Sequence, residues 1–173
     1  IGAGVSGIAL GAQLGRLGIR YTIVDKNDEV GGTWWENRYP GCGVDTPNHA
    51  YSFSFGPRNR WTRYFSLRDQ IQDYLERSAD TFDVRHHIRF RTEVTTAEWQ
   101  DDRHRWSVTV RLADDSTEQI EADVLVSAIG PLNVPRVPDI EGLDTFAGRT
   151  VHTARWPDDL VDPSAGGLSG QRV

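Results

Sequence analysis

The chain has 173 residues, of which 38% are apolar and 25% charged, enough apolar side chains to close the core of one ordinary globular domain. Its formal charge of −6, from 19 basic and 25 acidic residues, provides no general field for holding phosphate backbones or an anionic bilayer, and so argues against nucleic acid and membrane surfaces as partners. Cys42 is the only cysteine, which excludes an internal disulfide, and there is no long apolar run or signal-like segment; a reduced, cytoplasmic setting is the expectation.

The chain opens on Ile1 and contains no Met. A glycine turn follows at once, and such a turn is launched by a parallel strand, so Ile1 is expected to be the last residue of a first strand lying upstream. Val5, Ile8, Ala9, Ala12, Leu14 and Leu17 recur at near-helical spacing, and Gly18 stands where a left-handed residue would end the helix. Tyr21–Asp25 is a short β-branched run suited to a buried parallel strand. Residues 26–65 hold six glycines or prolines between Gly31 and Pro47 and no sustained period, the mark of a long irregular excursion of the kind that carries function.

A second helix is predicted from Ser66, with its hydroxyl as the cap and Asp69 at the third position; it would bury Leu67, Ile71, Tyr74, Leu75 and Phe82 and end before Val84. From 87 to 122 the residues alternate, through Ile88 and Phe90, Val94 to Trp99, and Trp106, Val108, Val110 and Leu112, with Asp101-Asp102 and Asp114-Asp115 at turns. This predicts an antiparallel three-stranded meander. Asp123–Gly130 is continuously apolar and closes on glycine, as a fully buried parallel strand does. Pro131, Pro135 and Pro138 then make a stiff connector, and Gly170–Val173 reads as a turn entering a further strand.

Gly2-Ala3-Gly4-Val5-Ser6-Gly7 fits G-x-G-x-x-G, in which the glycines allow a tight turn, approach of backbone to a pyrophosphate and close packing of helix on strand. The hexapeptide alone is a weak signal, since glycines also punctuate plain turns. Asp25 strengthens it, because it stands 18 residues beyond Gly7, at the end of the next strand, where an acid bonds ribose hydroxyls. An acid there repels a 2′-phosphate, so this site favours FAD or NAD over NADP.

The segment Gly31–Asp45, GGTWWENRYPGCGVD, resembles the pattern of the Baeyer-Villiger monooxygenases: a small residue, Gly, any residue, Trp, four residues, an aromatic, Pro, Gly, three residues and Asp. Roughly a hundred residues later, Phe146–Pro157 matches that family's F-x-G-x-x-x-H-x-x-x-W-P fingerprint through Phe146, Gly148, His152, Trp156 and Pro157. The resemblance runs the length of the chain and looks closest to the 4-hydroxyacetophenone monooxygenase branch. It implies an α/β, Rossmann-like FAD-binding domain over residues 1–130, with a parallel central sheet, flanking helices, the inserted meander and a truncated first strand. Residues 131–169 would be a linker carrying the fingerprint, and 170–173 the start of an NADPH-binding domain.

The activity implied is that of an NADPH- and O₂-dependent flavin enzyme that inserts one oxygen next to a ketone carbonyl, giving an ester or lactone. Carried over by position, Gly2, Gly4, Ser6 and Gly7 would hold the FAD pyrophosphate, Asp25 its ribose, Val94 the adenine, and Thr33 and Trp34 the ring region. Asp45 and Tyr51 would face the substrate side, with Asp45 pairing an arginine outside this chain, and Gly43, Val44 and Asp45 would also touch the nicotinamide end of NADP. His152 reads equally as a structural hinge residue. A fragment of this kind would be inactive by itself. A flavin-containing N- or S-oxygenase is the nearer rival, but its linker fingerprint ends in Tyr or Phe where Trp156-Pro157 stands; a flavin-binding remnant without activity is the other. Disulfide reductases share the architecture but need a second cysteine, and His86 and His87 lack the companions of a metal site, so no metal is predicted.

Overall fold

Ile23–Val24 forms strand β1, both residues buried, and pairs in parallel with β2 (Ile88–Arg89) through Ile23 with Ile88 and Val24 with Arg89. The computed structural model describes residues 1–56, 59–161, 167–170 and 172. On the other edge of β1 the Gly2 amide donates to the Val24 carbonyl at 2.9 Å. Beyond it, the amino group of Ile1 donates to Val126 O at 2.7 Å and Ala128 N donates to Ile1 O at 2.8 Å, the slanted exchange of a parallel pair. Ile1 therefore sits as one residue of strand between β1 and the 126–128 run, the place expected for the end of a first strand.

The run 123–130 differs from expectation. It is extended but not a regular strand, and Val124, Val126 and Ile129 are 76%, 44% and 52% exposed. Burial of a parallel strand requires neighbours along its edges and cover on its faces, and among the described residues the backbone partner it shows is Ile1, with Gly2 close against Ala128 and Ile129. The strand predicted over Tyr21–Asp25 is likewise trimmed to Ile23–Val24.

Helix α1 (Val5–Arg16) ends as its glycine requires: Gly18 has φ +66°, its amide donates to Gly15 O at 3.0 Å, and Ile19 N reaches back to Leu14 O at 3.0 Å. After a one-turn helix α2 (Thr33–Glu36), the long excursion leads to α3 (Arg68–Thr81). Ser66 does not cap α3; the residue at that position is Leu67, and no side chain caps the helix. The Ser66 hydroxyl is instead fully buried, accepting from Asn48 Nδ2 at 2.6 Å and donating to Gln70 Oε1 at 2.7 Å. Leu67, predicted inside, is 42% exposed; it precedes the helix, its backbone is bridged to Gly43, and its side chain lies beside that glycine and not in the core. Ile71, Tyr74 and Leu75 are buried as the spacing predicts, and with Ile8 and Ala12 of α1, Ile23, Val30 and Val84 they form the core.

The meander consists of β3 (Glu93–Gln100), β4 (Arg105–Arg111) and β5 (Thr117–Ala122), antiparallel and in that order. Ile88 belongs to the parallel sheet and not to the meander, since Arg91, at φ +49°, turns the chain between them. Its amide donates to Asn27 O at 3.0 Å and that of Thr92 to Asp25 O at 2.9 Å, so the turn is fastened over the end of β1. A register shift between Val94 and Thr96 bends β3 just where Val94 faces that end. The turns hold the expected acids: Asp114 accepts from Ser116 N at 3.0 Å, and Asp115 has φ +63°.

Candidate functional site

Beyond the end of β1 two glycine segments lie against each other. Gly31 N donates to Ala3 O at 3.0 Å, and a Cβ on Gly32 would come within 3.1 Å of Gly4 Cα. Gly7 has no room at all, since a Cβ there would be 1.9 Å from Gly2 O, so this glycine brings helix α1 down onto the turn. At Gly4 the nearest atom to an added Cβ is Gly32 Cα at 3.6 Å, an ordinary contact. The first N–H groups of α1 have no intrahelical acceptor, no side chain caps them, and no acid stands in the first turn. That is the electrostatics of an anion site.

Asp25 is buried, with Oδ2 accepting from Ala3 N at 2.6 Å and Oδ1 from Asn27 N at 2.8 Å. Each oxygen keeps a lone pair for a further donor. Across the space, Trp34 is 7% exposed and donates from Nε1 to the Tyr51 hydroxyl at 2.9 Å; the two rings stand nearly perpendicular, at 88°, with centroids 5.7 Å apart. These pieces enclose a cleft of about 410 Å³. Of the residues named from sequence, Gly2, Gly4, Ser6, Asp25, Thr33, Trp34, Tyr51 and Val94 all line it.

The remaining named residues lie elsewhere. Gly43 bridges Leu67, Val44 N donates to Ser66 O at 3.0 Å, and Asp45 is exposed, accepting from Thr46 Oγ1 at 3.3 Å; none of the three lines the cleft. In the fingerprint, Phe146 is 63% exposed and packs over Gly148, where a Cβ would stand 2.5 Å from its ring. His152 Nδ1 accepts from Ala154 N at 3.1 Å, and Pro157 O accepts from Leu160 N at 3.0 Å. Trp156 Nε1 is buried without a hydrogen-bond partner among the described residues. The strand expected at 170–173 falls on Gln171 and Val173, outside the described residues.

Sequence reasoning did not single out a group of polar residues at the rim. Lys26 Nζ donates to Asn133 Oδ1 at 2.5 Å and lies 3.3 Å from Glu36 Oε1. Asn27 Nδ2 also donates to Glu36, at 3.0 Å, and Arg155 Nη1 lies 3.2 Å from its other oxygen. The one available signal was a lone acid inside the otherwise aromatic and glycine-rich segment 31–43. Elsewhere, burial pushes the Cys42 thiol up from its usual range, although its hydrogen bond with Tyr39 and the nearby Arg68 charge pull the other way. Among the described residues no group of three or more His, Cys, Asp or Glu is placed to hold a metal ion, and no helix is long and apolar enough to cross a membrane.

Fold and cleft define a dinucleotide-binding domain, and residues 1–66 match the family model described as an NAD(P)-binding Rossmann-like domain. A Baeyer-Villiger monooxygenase of Streptomyces coelicolor is 46% identical over the whole chain, which covers 31% of that protein. The 2-oxo-Δ³-4,5,5-trimethylcyclopentenylacetyl-CoA monooxygenase of Pseudomonas putida is 38% identical, again over the whole chain and 32% of its own length. Among solved structures, OTEMO in complex with FAD and NADP superposes with a TM-score of 0.83 at 38% identity, over 91% of this chain and 30% of that one. Cyclohexanone monooxygenase from Rhodococcus sp. Phi1 bound to NADP⁺ does so with a TM-score of 0.80 at 40% identity, over 91% and 30%. The chain belongs to the Baeyer-Villiger monooxygenase family. It spans about a third of the length of these relatives.

Proposed function

We propose that this chain is the FAD-binding part of an NADPH- and O₂-dependent flavin monooxygenase that inserts one oxygen next to a ketone carbonyl to give an ester or lactone. The observation that carries the reading is the cleft itself. Residues from four separate stretches, chosen from sequence for parts of one dinucleotide, line a single space: the turn at 2–6, Asp25, the 33–51 segment and Val94. The site also fits the group physically. Room for a ligand atom remains over Gly4, uncapped N–H groups of α1 suit a diphosphate, and Asp25 has acceptor capacity left for ribose hydroxyls.

FAD would supply the redox chemistry toward O₂ and substrate. The chain's own part is to bind and orient it. Gly2, Gly4 and Ser6 hold the diphosphate and Gly7 seats the helix behind it; Val94 borders the adenine, and Thr33 and Trp34 border the ring, with Tyr51 fixing the indole by its hydroxyl. Gly43, Val44 and Asp45 form a separate edge that we assign to the nicotinamide and substrate side, where Asp45 orients an arginine from elsewhere in the protein. Residues 1–130 make the FAD unit and 131–169 the linker with its fingerprint at Phe146, Gly148, His152, Trp156 and Pro157. The substrate is a small ketone, and the lone cysteine, Cys42, agrees with work in the cytoplasm.

The test is to purify the protein and identify any flavin it carries. The expected result is FAD released in near-equimolar amount on denaturation. A protein that purifies colourless and does not quench the fluorescence of added FAD would overturn the reading.

A further inference from the structure

The cleft carries an unfavourable balance of charge for the dianionic diphosphate of FAD. Its described lining includes three acids, Asp25, Glu36 and Glu93, and one basic side chain, Lys26; of the acids, Glu93 is paired outside the cleft with Arg111. Backbone N–H groups can serve the diphosphate, but they carry only partial charge. Glu36 is the acid whose surroundings are unusual: its side chain is 8% exposed, and it is held by Lys26 at 3.3 Å and by Arg155 at 3.2 Å, residues from opposite ends of the chain. With Arg155 in place the trio Lys26, Glu36 and Arg155 carries a net charge of about +1; without it Lys26 and Glu36 cancel. Arg155 does not itself line the cleft.

A second ion pair makes the arrangement specific. Arg38 Nη1 lies 3.0 Å from Asp158 Oδ1, with the Arg38 guanidinium over the Trp35 ring at 4.8 Å. Arg155 and Asp158 stand at the two ends of the Trp156-Pro157 pair, while Glu36 and Arg38 flank the end of α2, the helix that carries Thr33 and Trp34 into the cleft. The fingerprint segment is thus strapped to the end of α2 and the residues after it at two points, and one of those points, Glu36, lines the cleft and is the acid whose charge the ligand would meet.

We propose that Arg155 is a positioning residue for the dinucleotide: by pairing with Glu36 it offsets the charge that this carboxylate would otherwise turn toward the anionic ligand. Docking of the fingerprint segment and binding of the dinucleotide are then linked, and linkage is reciprocal. This rests on the reading that the cleft binds FAD. The coupling is electrostatic and half-exposed, because the Arg155 side chain is 49% exposed, so its size is modest and falls with salt.

The experiment is a double-mutant cycle on the purified protein, freed of bound flavin, with the FAD dissociation constant read from quenching of flavin fluorescence. Arg155→Gln should weaken binding roughly three- to tenfold at low salt, and less at high salt, while Arg155→Lys retains the wild-type value. Glu36→Gln should bind FAD at least as tightly as wild type, and Arg155→Gln added to it should have no further effect. Equal loss from Arg155→Gln in both backgrounds, or no loss in either, overturns the proposal. Should Arg155→Gln fail to fold by circular dichroism, Glu36→Gln decides alone, and FAD binding weakened more than about threefold overturns it. A wild-type protein that binds no FAD instead brings down the cofactor reading on which the proposal stands.

Discussion

Gly4 and Gly7 belong to one motif but face different neighbours, and that difference can be measured. Gly4 has φ −80° and ψ −164°, a conformation open to any residue, and its nearest neighbour to an added Cβ is 3.6 Å away. Alanine there should change folding stability by no more than about 1 kcal/mol, because the loss in capping preference and the gain from a less flexible unfolded chain oppose each other. If a diphosphate lies over Gly4, however, the methyl group occupies its space. Hydrogen bonds from backbone N–H to a charged group are worth about 1.5–3 kcal/mol each, so displacing one weakens FAD binding about ten- to a hundredfold. Gly7→Ala is the contrast, since its Cβ would meet Gly2 O at 1.9 Å and the turn would have to open. The assay pairs urea unfolding with an FAD titration: Gly4→Ala should lose affinity at constant stability, and Gly7→Ala should lose stability first. Unchanged affinity in Gly4→Ala would show that the glycine turn serves the fold alone.

Leu75 is 1% exposed in the core beside Ile71 and Ile8, so Leu75→Ala should lower unfolding free energy by about 2–5 kcal/mol, read as a fall in the urea midpoint at unchanged slope; a loss below about 1 kcal/mol would contradict this packing. Asp45 is exposed and bonded only to its neighbour Thr46, so Asp45→Ala should leave stability within about 0.5 kcal/mol and keep FAD. On the proposed function, the same substitution in the complete enzyme should lower ester formation about ten- to a hundredfold with release of hydrogen peroxide, the loss of one charge-assisted pair; wild-type rates without added peroxide would remove its assigned role. The Arg89 guanidinium fastens β2 to β5 by two bonds to Glu118, 2.9 and 2.6 Å, and holds that carboxyl below its usual range. A depressed folded value means the stabilisation is present above the unfolded pKa and lost as pH falls through the folded one. The difference in Tm between wild type and Glu118→Gln should therefore be steady near neutral pH and shrink below about pH 4; a difference that persists there would contradict the ionic origin.

What could be read in advance was local. The G-x-G-x-x-G turn, the Gly18 stop and the acidic turn at Asp114-Asp115 each state a backbone requirement within a few residues, and each takes the expected conformation. Asp25 could be placed because one helix and one short strand, legible from spacing, separate it from the glycines. Ser66 was misread because its hydroxyl is taken by two side chains, Asn48, 18 residues earlier, and Gln70 of α3, and not by the helix's free backbone N–H groups. The exposure of Val124 and Val126 was equally hidden, since an apolar run shows that a strand suits burial but not what lies against it.

The Glu36 ion pairs mark where such reading stops, and the reason is physical. Hydrophobic period and turn chemistry are properties of neighbours along the chain, whereas Glu36 and Arg155 are 119 residues apart and acquire meaning only when the fingerprint segment comes down beside α2. In sequence, Glu36 is one acid among 25, set apart by its aromatic and glycine-rich surroundings but by nothing that names its partners. Folded, it is an acid 8% exposed between two cations at the edge of a space suited to an anion. A carboxylate in that position opposes the ligand unless it is neutralised, and the cations that neutralise it come from Lys26, next to Asp25, and from Arg155, next to Trp156. The second family motif is thereby joined to the first by charge, and on the proposal above the fingerprint would take part in holding the cofactor even though none of its residues borders the cleft.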